Sequence, residues 1–228
     1  MVLSNKTAIL IFANSAEKEI VSKSFSSKQL FETLNAQTIK IAKKTGLAYF
    51  VYSEHEQVGF SFGERFTNAI QSVYNKGFNQ VITIGNDTPH LTAKHLLKTV
   101  EKLETNAIVL GPSTDGGFYL MGLNKAFFNK NIFLKLPWQT SGLNRSISKI
   151  SASKSIAICY LEVLTDIDTA SDIQMVLNSF KAIATTIKSI LLQSLFVVNR
   201  FSIYQNLAFK DFILHFQFNK GSPVLLHL

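Results

Sequence analysis

The chain of 228 residues holds a single cysteine, Cys159, so no internal disulfide framework is available to it. That residue lies in the apolar run 155–161, where a buried thiol is expected rather than a nucleophile. A basic-then-apolar leader is absent from residues 1–6, and the first apolar run, Ala8 to Ala13, is too short for a signal core or a bilayer span. The longest later candidate, Ile190 to Val198, is interrupted by Gln193 and Ser194. A soluble cytoplasmic protein without a transmembrane segment is the expectation. Acids are scarce, 15 against 23 Lys and Arg, for a net charge of +8. Such a charge admits anionic partners. The basic residues are scattered, however, with neither an Arg-rich block nor the aromatic-basic interleaving of single-stranded nucleic-acid binders, so no nucleic-acid partner is expected. Gly-x-Gly-x-x-Gly and Gly-Lys-Ser/Thr phosphate loops are also missing, which argues against dinucleotide oxidoreductases and nucleotide-hydrolysing switches.

What is present is a regular alternation of apolar strands and amphipathic helices. Hydrophobic content of 46 % with 17 % charge is that of a globular chain, long enough for one sizeable domain with a short appendage. Thr7–Ala13, Leu47–Tyr52, Val81–Gly85, Asn106–Leu110, Phe118–Leu123 and Ile156–Val163 read as strands. Between them, Lys28–Lys44, Phe62–Lys76, Thr92–Leu103 and Ser141–Ser151 read as helices. In the third of these, Leu96, Leu97, Val100 and Leu103 are expected to pack inward. The alternation predicts an α/β fold, a mostly parallel doubly wound (Rossmann-like) sheet with helices on both faces. Residues 1–180 form the expected main domain. Residues 181–228, rich in Phe and with Asp211 as the one acid, form a helical and aromatic C-terminal extension. It is either a cap on the main domain or a surface for a homodimer or a membrane.

Two strands run directly into turns that carry an aspartate. Gly85-Asn86-Asp87-Thr88-Pro89 follows the third, and Gly111-Pro112-Ser113-Thr114-Asp115-Gly116-Gly117 the fourth. Ligands of open α/β sheets bind in the crevice at the carboxyl ends of the strands. Gly85 allows close backbone approach, and Asp87 can take a hard cation such as Mg²⁺ or Mn²⁺ or merely cap a turn. Thr88 and Pro89 suit the cap and first turn of the next helix. Asp115-Gly116-Gly117 is either a ligand loop or a simple hairpin turn. A third acidic stretch, Asp166-Ile167-Asp168-Thr169-Ala170-Ser171-Asp172, follows the last strand. Capping explains Thr169 and Asp172 there, but not Asp166 and Asp168. Those two with Asp87 make a reasonable oxygen-ligand set for a divalent ion. His90 and His95 read as surface or loop residues. Arg65 at a helix start is a phosphate partner or an exposed ion-pair member, and Trp138 either stacks on a ligand or anchors its loop.

These segments together resemble a bacterial family of GT-A-type, nucleotide-diphospho-sugar-transferase-like proteins, often described as glycosyltransferases of arsenosugar biosynthesis. The matching stretches are Phe62-Gly63-Glu64-Arg65, Ile84 to Thr92, Leu110 to Leu123, Pro137 to Ser141, and Asp166 to Asp172, spread over 7–180. The resemblance implies a metal-dependent glycosyltransferase or nucleotidyltransferase with a nucleotide-sugar or nucleotide donor and a small-molecule acceptor. It implies Mg²⁺ or Mn²⁺ at Asp87 with help from Asp166 and Asp168, and Asp115, Gly116 and Gly117 lining the sugar or acceptor pocket. A carboxylate near the acceptor can take its hydroxyl proton, which makes Asp115 the candidate base. Gly85, Asn86, Arg65 and Lys18 are the candidate donor-binding residues. In one respect the chain departs from the family. Where members carry a Pro-Gly-rich loop with Lys-Thr-Arg-Leu after the first strand, this chain has Asn14-Ser15-Ala16-Glu17-Lys18-Glu19 and then Lys23. Lys18 or Lys23 would have to replace those cations. The alternative is a catalytically degenerate relative that keeps the sheet and acts as a binding module.

Overall fold

A computed structural model describes residues 7–23, 27–140, 142–153 and 156–196. β1 (Thr7–Phe12) is followed by α1 (Ala16–Ser22), α2 (Lys28–Lys44), β2 (Ala48–Tyr52), α3 (Phe62–Asn75), β3 (Gln80–Ile84) and α4 (Ala93–Leu103). Then come β4 (Ile108–Pro112), β5 (Phe118–Asn124), α5 (Lys130–Leu134), α6 (Leu143–Ser153), β6 (Ile158–Tyr160) and α7 (Ala170–Asn178). The last helix among the described residues, α8, covers 185–196. The strands form one sheet in the order β2-β1-β3-β5-β4-β6. β1 pairs in parallel with β2 and β3, and β4 with β6, whereas β5 runs antiparallel to both its neighbours. The reason is the connection. A five-residue turn, 113–117, joins β4 to β5, and so short a link permits only an antiparallel pair. The other strands are separated by helices, which carry the chain back for parallel pairing.

Period-two alternation assigns the two faces of the sheet. Ala8 and Leu10 pack under α3 and α6 with Ile70, Val73, Val81, Leu110 and Met121, while Ile9 and Ile11 turn to the opposite face with Ile41, Ile82, Leu96 and Leu120. The two long helices bury apolar residues recurring at three- and four-residue spacing. α2 buries Leu30, Phe31, Leu34, Thr38, Ile41 and Ala42, and α3 buries Phe66, Ala69, Ile70, Val73 and Tyr74. A third cluster ties α8 to α2 and α7 through Ile187, Ile190 and Leu191 against Leu30, Phe31, Leu34, Ile173 and Val176. The first part of the expected extension is thus a cap on the domain. The rest of it, 197–228, and with it most of the expected dimer surface, lies outside the described residues.

Several expectations are corrected. α1 is a helix that the sequence reading did not include: Ser15 caps it by accepting from the Lys18 amide, and Ala16 packs in the third cluster. Thr88 and Pro89 do not open a helix; α4 begins at Ala93 with Thr92 as its cap. Leu97 is 39 % exposed, because α4 buries its Leu96, Thr99 and Leu103 face instead. β6 is only three residues long, shorter than the run 156–163, since it pairs with β4 alone at the sheet edge. His90 lies in the loop between β3 and α4, one of the two expected places, but is buried there.

Ile82 is fully buried in the central strand β3. Ile82→Ala is expected to cost about 2–5 kcal/mol, read as a lower urea midpoint with an unchanged slope.

Candidate functional site

β1, β3, β4 and β6 all end at the same rim, and each feeds a polar segment into one crevice. The segment after β1 is pinned first. The Ser15 amide and hydroxyl both donate to the Glu54 carboxylate beyond β2, at 2.7 and 2.5 Å, which sets where α1 starts. α1 then delivers Lys23 at its carboxyl end. The segments after β3 and β6 are stitched to one another: the Ile167 amide donates to the Asp87 carbonyl at 2.9 Å, and Thr88 Oγ1 donates to Asp166 Oδ1 at 2.5 Å. Ile167 is fully buried in the third apolar cluster. Its neighbours Asp166 and Asp168 therefore share the opposite side of an extended segment, and both line the crevice.

Lys23 joins these strands' loops by charge. Its Nζ lies 2.8 Å from Asp168 Oδ1, 3.1 Å from Asp87 Oδ2 and 3.7 Å from Glu19 Oε2, and it donates to the Ile167 carbonyl at 2.9 Å. Carboxylates 81 positions apart in the chain thus converge on one positive charge. Burial works against the ammonium, but Asp87, and then Asp168 and Glu19, outweigh it and hold its pKa above the ordinary lysine value. Among the described residues no cation pairs with Asp166. Burial, and secondly the charge of Asp87, push its carboxyl up to about 8.

The crevice has two lobes that share Phe12, Phe62, Asp87, Gln139 and Asp168. One is walled by aromatic rings and reaches Gly85, Ser113, Asp115, Gly117 and Asp166. Asp115 is held in place by the Ser113 hydroxyl and by the Gly117 amide at 2.9 Å. Trp138 anchors its loop: Nε1 donates to the Phe133 carbonyl at 2.7 Å and the ring packs on Phe66 at 4.9 Å between centroids, while its edge remains part of the wall. A Cβ at Gly63 would come within 2.5 Å of that indole, so only glycine admits the packing. The second lobe is polar, with Lys23, Arg65, Asn14, Gln57 and Asn86. Arg65 is steadied there by Gln57 Oε1 at 3.3 Å and the Phe60 carbonyl at 3.2 Å, and Asn86 by Asn35 at 2.7 Å.

Asp87, Asp115, Asp166, Asp168, Gly85 and Gly117 thus come together in the first lobe, Arg65 and Asn86 in the second. Lys18 is exposed on α1 and lines neither lobe; Lys23, one turn on, takes the position considered for it. Gly116 forms the turn, with φ of +92°, and its carbonyl accepts from Asn144 at 2.7 Å. Gln139 escaped the sequence reading. It lines both lobes in a left-handed conformation, φ +58°, that a non-glycine residue adopts only under local constraint. Thr88 and Ser113, which hold two of the acids, escaped it as well: Thr88 meets Asp166 across 78 positions, which leaves no spacing signal, and Ser113 meets Asp115 two residues on inside a turn whose shape only the fold sets.

The donor set suits a hard cation in chemistry, with Asp87 and Asp168 offering oxygens to one point. Mg²⁺ commonly takes one or two protein carboxylates and completes its shell from water and substrate phosphates. Among the described residues no three His, Cys, Asp or Glu side chains stand close enough to enclose an ion unaided, and the two converging oxygens are engaged by Lys23. Asp87 and Asp168 could hold a metal only together with phosphate oxygens, and only where Lys23 releases them.

A family model described as "Uncharacterized protein conserved in bacteria (DUF2064)" matches residues 27–140, half of the chain. The chain belongs to the DUF2064 family. No curated protein sequence matches it significantly. Among solved structures, this DUF2064 protein is similar to a putative nucleotide-diphospho-sugar transferase from Desulfovibrio desulfuricans G20. That match has 18 % identity and a TM-score of 0.68, and covers 82 % of this chain and 97 % of that one. It is also similar to Rv0371c from Mycobacterium tuberculosis H37Rv, at 13 % identity and a TM-score of 0.53, over 76 % and 98 % of the two chains. A manganese complex of Rv0371c aligns with a TM-score of 0.42 at 13 % identity, over 76 % and 99 %. The fold is accordingly a GT-A-like, mostly parallel α/β sheet shared with the Desulfovibrio protein, as the resemblance led us to expect.

The Asp166 shift has a measurable sign. Its folded pKa, about 8, exceeds the ordinary 3.8, so the folded state binds the extra proton. The stability this group allows is present in full below pH 3.8 and declines as pH rises towards 8. Asp166→Asn is expected to remove that decline, gaining on the wild type in melting temperature between pH 5 and pH 8.

Proposed function

We propose that this DUF2064 protein is a transferase that takes a nucleotide-sugar or nucleotide donor, with Mg²⁺ or Mn²⁺, and passes a glycosyl or nucleotidyl group to a small-molecule acceptor. One observation carries the reading: Asp87 and Asp168, from the segments that follow β3 and β6, meet at a single positive charge on the rim of a GT-A-like sheet. The resemblance to a nucleotide-diphospho-sugar transferase supports it at the level of fold. In this scheme Asp87 and Asp168 would hold the metal with Asp166 behind them, and a metal held there would supply charge neutralisation for the departing diphosphate. Lys23 and Arg65, both in the polar lobe, bind donor phosphate oxygens. Asn86 and the Gly85 backbone border the donor, and the rings of Phe62 and Trp138 exclude water beside it. Asp115, oriented by Ser113 and the Gly117 amide, accepts the proton of the acceptor hydroxyl. No helix of the described residues is long and apolar enough to cross a membrane.

A second reading, a non-catalytic binding module, is favoured by a specific observation: Lys23 already satisfies the two carboxylates. Thermal melting with a panel of nucleotide-sugars and nucleoside triphosphates, with and without Mn²⁺, separates the two. A true donor at a hundred times its Kd adds about 2.7 kcal/mol, a rise of roughly 5–10 °C for a chain of this size. That rise is expected to need Mn²⁺ and to vanish in Asp87→Ala. If no nucleotide moves the melting temperature in either condition, the transferase reading fails and the binding module stands.

A further inference from the structure

Lys23 is not an ordinary surface ion-pair lysine. Its side chain is 14 % exposed and meets Asp87 at 3.1 Å, Asp168 at 2.8 Å and the Ile167 carbonyl at 2.9 Å, so three oxygens from two loops surround one nitrogen. A divalent ion drawing on Asp87 and Asp168 needs oxygens at roughly 2.0–2.6 Å, and therefore needs the same point in space. Two cations cannot share it. An ammonium and a metal ion a few ångströms apart in a partly desolvated crevice repel strongly. The same lysine borders the polar lobe, where Arg65, Asn14 and Gln57 also stand. Its four-carbon stem lets the ammonium leave the acids for an anion placed there without any backbone change.

We propose that Lys23 is a built-in counter-ion that excludes free divalent metal from Asp87 and Asp168, and that a diphosphate entering the polar lobe draws its ammonium away so that metal and donor bind as a unit. The exchange balances charge. Before it, one ammonium faces two carboxylates; after it, the divalent ion faces those carboxylates and the ammonium faces phosphate oxygens. The second half of the inference rests on the nucleotide-donor reading above. The first half, exclusion of free metal, does not.

The test therefore uses the metal alone. Mn²⁺ is titrated into the full chain without nucleotide, and the free ion is followed by electron paramagnetic resonance. Wild type and Lys23→Arg are expected to leave the aqueous Mn²⁺ signal close to that of buffer. Lys23→Met, and Lys23→Gln as a second neutral variant, are expected to bind at least about tenfold more tightly, because one positive charge beside the ion has gone. Adding Asp87→Asn to either should abolish the gain. The proposal is overturned if wild type binds Mn²⁺ as tightly as the neutral variants do, or if a folded neutral variant gains nothing. The wild-type arm needs no substitution to fold: tight binding there that Asp87→Asn removes is enough to reject it. Mn²⁺ behaviour as expected with no nucleotide binding anywhere in the panel would leave exclusion standing and reject the transferase reading together with the diphosphate half of the proposal.

Discussion

The ammonium of Lys23 sits where three segments of the chain arrive with like charge. Asp87 closes β3, Asp168 follows β6, and Glu19 comes from α1. Without a cation among them these loops would repel one another in a crevice that is partly shielded from water, and the surrounding hydrogen bonds would be working against Coulomb repulsion. With it, the Asp87 carbonyl and the Ile167 amide close at 2.9 Å and the two acid-bearing loops lie side by side. What the rim can bind follows from that one charge and from what is able to replace it.

Around this point the fold does two separate jobs. The sheet supplies rigid strand ends, with Leu10 and Ile82 fully buried on opposite faces of adjacent strands, so the loops begin from fixed positions. Short polar contacts then aim the side chains. Ser15 on Glu54 sets the start of α1, Thr88 holds Asp166, and Ser113 holds Asp115. The aromatic wall built on Phe62, Phe66 and Trp138 keeps one side of the crevice apolar, and the other side stays polar through Arg65, Asn14 and Gln57. An elongated ligand with an anionic part and a flatter, less polar part matches that division.

Much of this was legible in the residues themselves. The faces of α2 and α3 follow from apolar spacing, and the acids after β3, β4 and β6 stand out because strands of an α/β sheet present their carboxyl ends to ligands. The antiparallel course of β5 is implicit in a turn too short to cross the sheet. What the residues concealed depends on distance in space. Nothing local marks Lys23 rather than Lys18 as the cation of the site, since the choice is made by α1, a helix started by a serine whose hydroxyl also reaches Glu54. Leu97 looked as apolar as Leu96, yet the packing of α4 leaves it in solvent. His90 looked like a loop residue and is buried, and the strain at Gln139 has no trace in its neighbours.

Crystals grown with Mn²⁺ and a nucleotide-sugar, with anomalous data collected for manganese, test the central claim most directly. The account predicts one manganese peak bonded to both Asp87 and Asp168, with the Lys23 ammonium moved onto the diphosphate. A nucleotide bound with Lys23 still bridging the two aspartates, or manganese found away from them, would contradict it.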